Sequence, residues 1–362
     1  MSSPTAVPEP ETAPPSIAAP EATEAPAAAG AAASTAVGAA AAAASATATA
    51  RPHDKRALSV DELLDGWQGI ALRAGALLRD PAAPQFQAAT TRADDDITAL
   101  LAQETERTLL VMIHSAGVSA ERYSVRHALM VAVVCELAAR HLPEYTPEVR
   151  RSLRLAALTM NIGMTRLQDQ LALQDTPLTD EQRSAVEGHA AQSHKLLTEL
   201  GVTDELWLQA VLHHHDAPPG AWTEQALGMQ LARLVRRADL FAARMSPRKQ
   251  RAALSANVAA KGTYLDELKQ PDMAGALVIK ALGVYPAGSY VQLASGELAV
   301  VLKRTASANQ PVVAAVADRD GSPYVQPSLR TTDTRLTAVV RGVPPKEVRV
   351  RVPIERLLKL AR

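Results

Sequence analysis

Between Ser59 and about Gln270 the apolar residues return at every third and fourth position, the spacing of helices with one buried stripe. The first such run, SVDELLDGWQGIALRAGALL, carries its own start signal: Ser59 is placed to cap and Glu62 completes a capping box. ITALLAQETERTLLVMIHSA and YSVRHALMVAVVCELAARHL continue the pattern. RRSLRLAALTMNIGM is apolar almost all round, which predicts a buried central helix. Past Pro271 the texture changes to the strand period of two. SYVQLASGELAVVLKR reads as two strands around Ser295-Gly296, PVVAAVADRDGSPY holds Asp320-Gly321 at a hairpin position, and VRVRVPI alternates as a half-buried strand does. The pattern predicts a mostly α protein with a helical segment at residues 59–118, a helical domain at 119–283 and a small β-rich module at 284–362, the last boundary falling at GVYPAG.

Residues 1–58 follow neither period. They are built from Ala, Pro, Ser, Thr and Glu with hardly a large side chain, so burial cannot offset the entropy of ordering them, and a disordered tail is predicted. No basic residue precedes Arg51, which argues against a signal peptide, and no later run approaches the roughly 20 apolar residues of a membrane span. The charges balance, 38 basic against 38 acidic in 362 residues, so no overall field draws the chain to nucleic acid or an anionic membrane. The single cysteine, Cys135, lies in the apolar run VAVVCELAA, where it reads as a small core residue and has no partner for a disulfide. Together these predict a soluble cytoplasmic protein.

The chemistry concentrates in VLHHHD at 211–216. Trp207, Ala210, Val211 and His214 share one helix face, which turns His214 inward; His215 flanks that face four residues after Val211, and His213 points about 100 degrees away. A preceding helix opens at TDEQ, where Thr179 and Gln182 form a capping box; its stripe of Val186, Ala190, Leu197 and Leu200 is bordered by His189. In LARLVRRADLFAARM, Asp239 stands beside the stripe of Leu231, Leu234, Val235, Ala238 and Ala242, where an acid must find a partner or shift its pKa. Three inward histidines and a carboxylate are ligand types for Zn, Mn or Fe. Spacing alone leaves the other reading open, in which each imidazole bonds a backbone carbonyl or the aspartate and no metal enters. The neighbouring Arg233, Arg236, Arg237, Arg244, Arg248, Lys249 and Arg251 read mostly as a solvated face.

The order of these segments over roughly residues 120–285 resembles the HD-GYP family, HD-superfamily phosphohydrolases of cyclic di-GMP breakdown. YSVRHALMVAVVCELAARH resembles the family's opening helix and LTMNIGMTRLQDQLALQDTPLTDEQRSAVEGHA its HD-containing helix and loop. VLHHHD resembles the His-His-Glu element and RRADLFAARMSPRKQR the helix with the last ligand; the stretch from GTYLDELKQ to GELAVV resembles the C-terminal continuation. The resemblance implies metal positions at Tyr123, Met160, Asn161, His189, His214, His215 and Asp239, of which only the last four are ordinary ligands. The name-giving His-Asp pair is Met160-Asn161, the following lysine is Met164, and the GYP signature is absent around Trp222, Thr223 and Glu224, leaving Gly220 and a loop shortened by Pro218-Pro219.

The mechanism implied by the family bridges two or three metals with the HD aspartate and attacks phosphorus with a bridging hydroxide. Asparagine is a neutral, poor bridge, and methionine a soft ligand unsuited to such metals. What the resemblance leaves is one divalent metal (Zn, Mn or Fe) on His189, His214, His215 and Asp239, Asn161 at the position of the lost aspartate, and Arg248 as a phosphate-holding residue. Two readings follow: a degenerate signalling protein that binds a protein partner or a cyclic dinucleotide, and a divergent metal-dependent phosphohydrolase using a mononuclear site.

Overall fold

A computed structural model describes residues 56–82, 84–117, 122–216, 221–266 and 269–362. Most of the predicted tail, and the loop residues Pro218, Pro219 and Gly220, lie outside the described residues. The chain runs through α1 (Val60–Arg79), α2 (Phe86–Gln103), α3 (Thr105–Ala116), α4 (Tyr123–Ala139), α5 (Pro147–Thr159), α6 (Thr165–Leu173), α7 (Asp180–Glu187), α8 (His189–Glu199), α9 (Glu205–His213), α10 (Leu227–Met245), α11 (Ala256–Lys261) and α12 (Met273–Leu282). Strands β1 (Tyr290–Leu293), β2 (Leu298–Lys303), β3 (Val312–Ala317), β4 (Pro323–Arg330) and β5 (Val339–Val343) follow, and α13 (Ile354–Leu360) closes the chain. The fold is mostly helical with one small antiparallel sheet. Among the described residues no helix is long and apolar enough to cross a membrane.

The local signals act where they were read. Ser59 and Glu62 make both halves of a capping box at α1, and Thr179 and Gln182 do the same at α7. Three expected elements differ. The run from Ile97 to Ala116 breaks at Glu104, whose non-helical backbone ends α2 and starts α3. The helix opening at Asp180 ends at Gly188, so His189 begins a new helix rather than riding on the old stripe. VRVRVPI joins no sheet: Pro344 and Pro345 precede it, Pro353 lies within it, and a proline cannot donate to a ladder. The segment runs along α3 instead, with the Val352 carbonyl 3.2 Å from His114 Nε2.

Although α5 is fully buried from Ser152 to Thr159, the centre of the bundle is α4, where every residue but Arg126 is buried. A helix without a polar face must be covered on all sides, and α1, α5, α6, α10 and α12 cover it. Its one buried acid, Glu136, is met by Arg140, Arg150 and Arg154, and Arg154 also grips Asp94 of α2 at 2.6 and 2.9 Å. Cys135 beside it is fully buried, and burial, then the carboxylates of Asp239 and Glu136, push its thiol pKa up.

The sheet has the order β4-β3-β2-β1-β5, with Gly296 and Gly321 at positive φ in the two expected hairpin turns. Alternation sends Val300, Leu302, Ala314 and Val316 into the helical core, while Val291, Leu293, Ala299, Val301 and Val313 form a second cluster on the other face. Arg304, just past β2, pairs with Glu106 of α3. Gly288 leads into β1 at φ +92°, and a Cβ there would stand 2.8 Å from the Leu110 carbonyl oxygen, so this approach to α3 requires glycine.

Candidate metal centre

The histidines are positioned by helix ends. Asp204 caps α9 by accepting from the Trp207 amide at 3.0 Å and holds Ser152 of α5 at 2.6 Å; Trp207 Nε1 donates to Thr159 Oγ1 at 2.7 Å. These bonds fix α9 against α5, and the chain turns out of α9 at His214, which is buried. His213 leans away to Asp216 at 2.7 Å, while His215 lies exposed at the rim and its carbonyl accepts from Arg236. His189 enters as the first residue of α8, which is held by the Gly163 amide donating to Ser193 Oγ at 3.0 Å.

His189 Nδ1–H donates to the Val186 carbonyl at 2.5 Å and His214 Nδ1–H to the Val211 carbonyl at 2.7 Å. Each bond spends a ring hydrogen on the backbone and leaves Nε2 with its lone pair. The two Nε2 atoms face each other at 3.2 Å, and His215 Nε2 is also 3.2 Å from His189 Nε2. Ligand atoms of all three rings lie within 4.8 Å of one another. Burial first, then His215, pulls the His214 pKa down to about 3, so this ring is neutral at physiological pH. Burial and His189 lower His215 as well.

Bare nitrogens turned toward each other repel unless something positive sits between them. Zinc–nitrogen bonds of about 2.0–2.1 Å in tetrahedral array separate neighbouring nitrogens by about 3.3 Å, close to both short distances here. Two of the three separations thus match those around one nitrogen-preferring cation, and the third pair lies within 4.8 Å, with Val186 and Val211 orienting two of the rings. Both readings left open by the spacing coexist: the imidazoles do bond backbone carbonyls, and through that bond they aim their other nitrogens together.

Asp239 is bonded outside the trio. Its Oδ1 is 2.7 Å from Nε2 of His127, on α4. Burial would raise the Asp239 pKa, but the His127 bond and the nearby His127, His214 and His215 outweigh it and hold the carboxyl at about 2. His127 in turn stacks on Tyr123 at 5.5 Å between ring centroids, and Arg248 donates to Tyr123 Oη at 3.1 Å with its guanidinium 4.8 Å from the ring centre. His127, absent from the sequence-based candidates, is thus a member of the site. Its signal was one helical turn: it follows Tyr123 by four residues and occupies the same face.

Met160 is buried at the end of α5, and Asn161 begins the turn leading through Met164 into α6. Trp222, Thr223 and Glu224 form a single 3-10 turn. The basic run after Leu231 is only partly a solvated face. Arg237 is buried because Asp272, the cap of α12, accepts from both Arg233 and Arg237. Arg248 reaches Tyr123, as described above.

No family model matches this chain, and no solved structure does. It is 28% identical over 195 residues to the cyclic di-GMP phosphodiesterase PA4108 of Pseudomonas aeruginosa, a match that takes in 51% of this chain. The match covers 46% of that protein, so the chain spans less than half the length of the curated relative it resembles.

Proposed function

We propose that the chain is an HD-GYP-type signalling protein that holds a single divalent ion at His189, His214 and His215 and does not cleave cyclic di-GMP, acting by binding a cyclic dinucleotide or a protein. The observation that carries this reading is the His127–Asp239 pair, at 2.7 Å. The carboxylate that the family resemblance assigns to metal is engaged by a protein side chain. Around it, positions expected to supply ligands hold the buried thioether of Met160 and the Tyr123 hydroxyl bound by Arg248. On this reading the His127–Asp239 pair satisfies itself, and Met160 and Tyr123 add no ordinary donor beside it. The likeness to a cyclic di-GMP phosphodiesterase supports a cyclic dinucleotide as the small-molecule partner.

A bound ion would polarise a coordinated water or phosphoryl oxygen. The chain's own residues orient the imidazoles through Val186 and Val211, keep His214 neutral by burial, and confine Asp239 to its bond with His127. The exposure of His215 favours a second reading, since it leaves one side of the trio open to water or substrate, as a mononuclear phosphohydrolase requires. Metal analysis of the purified protein, joined to a cyclic di-GMP hydrolysis assay with Mn or Fe supplied, separates the two. The expected result is about one equivalent of metal and no turnover above buffer. Metal-dependent cleavage lost in His214→Ala would establish the phosphohydrolase instead.

A further inference from the structure

A cavity of about 620 Å³ lies away from the histidine trio, between α3, the start of α4, the end of α10 and the segment that runs from β5 to α13. Its walls are largely apolar, with Ile113, Met245, Val343, Val350, Val352 and Ile354 among them. Polar side chains interrupt these walls, His114, Tyr290, Arg126 and Arg351 among them. Its volume is that of a small-molecule site, and a few placed polar groups on an apolar lining are what such sites share.

His114 is the informative one. It is only 7% exposed. Its Nε2 is 3.2 Å from the Val352 carbonyl oxygen, and a carbonyl can only accept, so the ring hydrogen is on Nε2 and Nδ1 carries the lone pair. That Nδ1 is buried and has no hydrogen-bond partner among the described residues. A buried acceptor left in this state is destabilising, and a ligand with an N–H or O–H would relieve the cost. Burial holds the ring in its neutral form by lowering its pKa, against the opposing Val352 contact. Tyr290, 5.7 Å from His114 between ring centroids, supplies an aromatic wall. Arg351, exposed at the rim, brings a guanidinium fork that matches the two oxygens of a carboxylate, while Arg126 donates to the Ser115 carbonyl at 3.5 Å. A dianionic phosphate would meet a heavier desolvation cost among so many valines and isoleucines.

We propose that this cavity is a binding site for a small carboxylate with an apolar, flat or acyl body and one N–H or O–H donor, the donor bonding His114 Nδ1 and the carboxylate facing Arg351. The site is independent of the metal reading. It shares no side chain with the trio.

Two rigid probes test it: 6-hydroxy-2-naphthoate, and 2-naphthoate, the same body without the donor. Each is titrated calorimetrically into the full chain in buffer containing EDTA, so that coordination at the histidines contributes nothing. The hydroxylated probe should bind with a submillimolar Kd, about tenfold tighter than its partner, as expected for one buried hydrogen bond. His114→Phe, which keeps a ring against Tyr290, should bring the two affinities within about twofold. Arg351→Gln, at an exposed position, should weaken both at least threefold, and Val350→Trp should abolish both by filling the cavity. If His114→Phe does not fold, the Arg351 and Val350 variants decide the matter alone. Failure of both probes to bind the unmodified chain, a hydroxyl preference that survives His114→Phe, or binding untouched by Val350→Trp would each overturn the proposal.

Discussion

Replacing Arg154 by methionine tests whether the bundle is held at its centre by charge as well as by packing. Arg154 bonds Asp94 at 2.6 and 2.9 Å and Glu136 at 2.7 Å, and both acids are buried. Methionine restores much of the volume but leaves the carboxylates short of three charged donors. Removing one partner from a buried pair costs about 3–5 kcal/mol. Arg140 and Arg150 still reach Glu136, and Arg151 lies 3.7 Å from Asp94, so the low end, about 3 kcal/mol, is expected. The sign with pH follows from Glu136. Burial alone would raise its pKa, but Arg150 and Arg154 outweigh burial and hold it below the usual 4.5. A depressed folded pKa contributes stability that is complete above the unfolded value and is lost as pH falls through the folded one. Without Arg154 that pKa rises toward or past the unfolded value, so protonation relieves the variant where it harms the parent. Urea unfolding followed by far-ultraviolet circular dichroism at pH 7.5 and pH 4 reads this directly: the deficit of Arg154→Met should be near its full size at the first and clearly smaller at the second. A deficit under about 1 kcal/mol at pH 7.5, or one that does not shrink in acid, would refute the argument.

His189→Ala and His214→Ala should each abolish metal retention by the purified protein, while His213→Ala, whose ring faces Asp216, should leave it unchanged; elemental analysis decides. The triple change Tyr123→His, Met160→His and Asn161→Asp should raise metal uptake more than it raises cyclic di-GMP hydrolysis, and adding His127→Ala should raise uptake further by releasing Asp239. Gly288→Ala should destabilise the chain by about 1–3 kcal/mol, since φ is +92° and the new Cβ would meet the Leu110 carbonyl, with thermal unfolding as the readout.

Much of the site was legible because α9 is one uninterrupted amphipathic helix. Counting from Trp207 turned His214 inward and His213 outward, and the rings stand that way. The spacing failed where the chain breaks without a strong sign. Gly188 inside a helical pattern is compatible with continuation, yet it ends α7 and makes His189 a first-turn residue. VRVRVPI alternates faithfully, but with prolines before and within it, which cannot donate to a ladder, it became a cavity wall. His127 escaped for a different reason. α4 is apolar on every side, so no stripe marks which residues face the site, and its bond to Asp239 spans 112 positions of sequence. Arg237 and Asp272 share that difficulty: nothing local to either residue announces the other, 35 positions away.

Cys135 makes the central helix its own reporter. The chain has one thiol, fully buried on the helix that α1, α5, α6, α10 and α12 surround, and burial suppresses its thiolate. A disulfide-exchange reagent added to the folded protein should therefore find nothing to react with until α4 is uncovered. The labelling rate then counts openings of the bundle, with no engineered probe and a background of zero from other sulfhydryls. Under conditions where reclosing outruns labelling, that rate gives the free energy of exposing α4. Comparing the rate with and without added metal would show how far an ion at the histidines tightens the helices around that thiol.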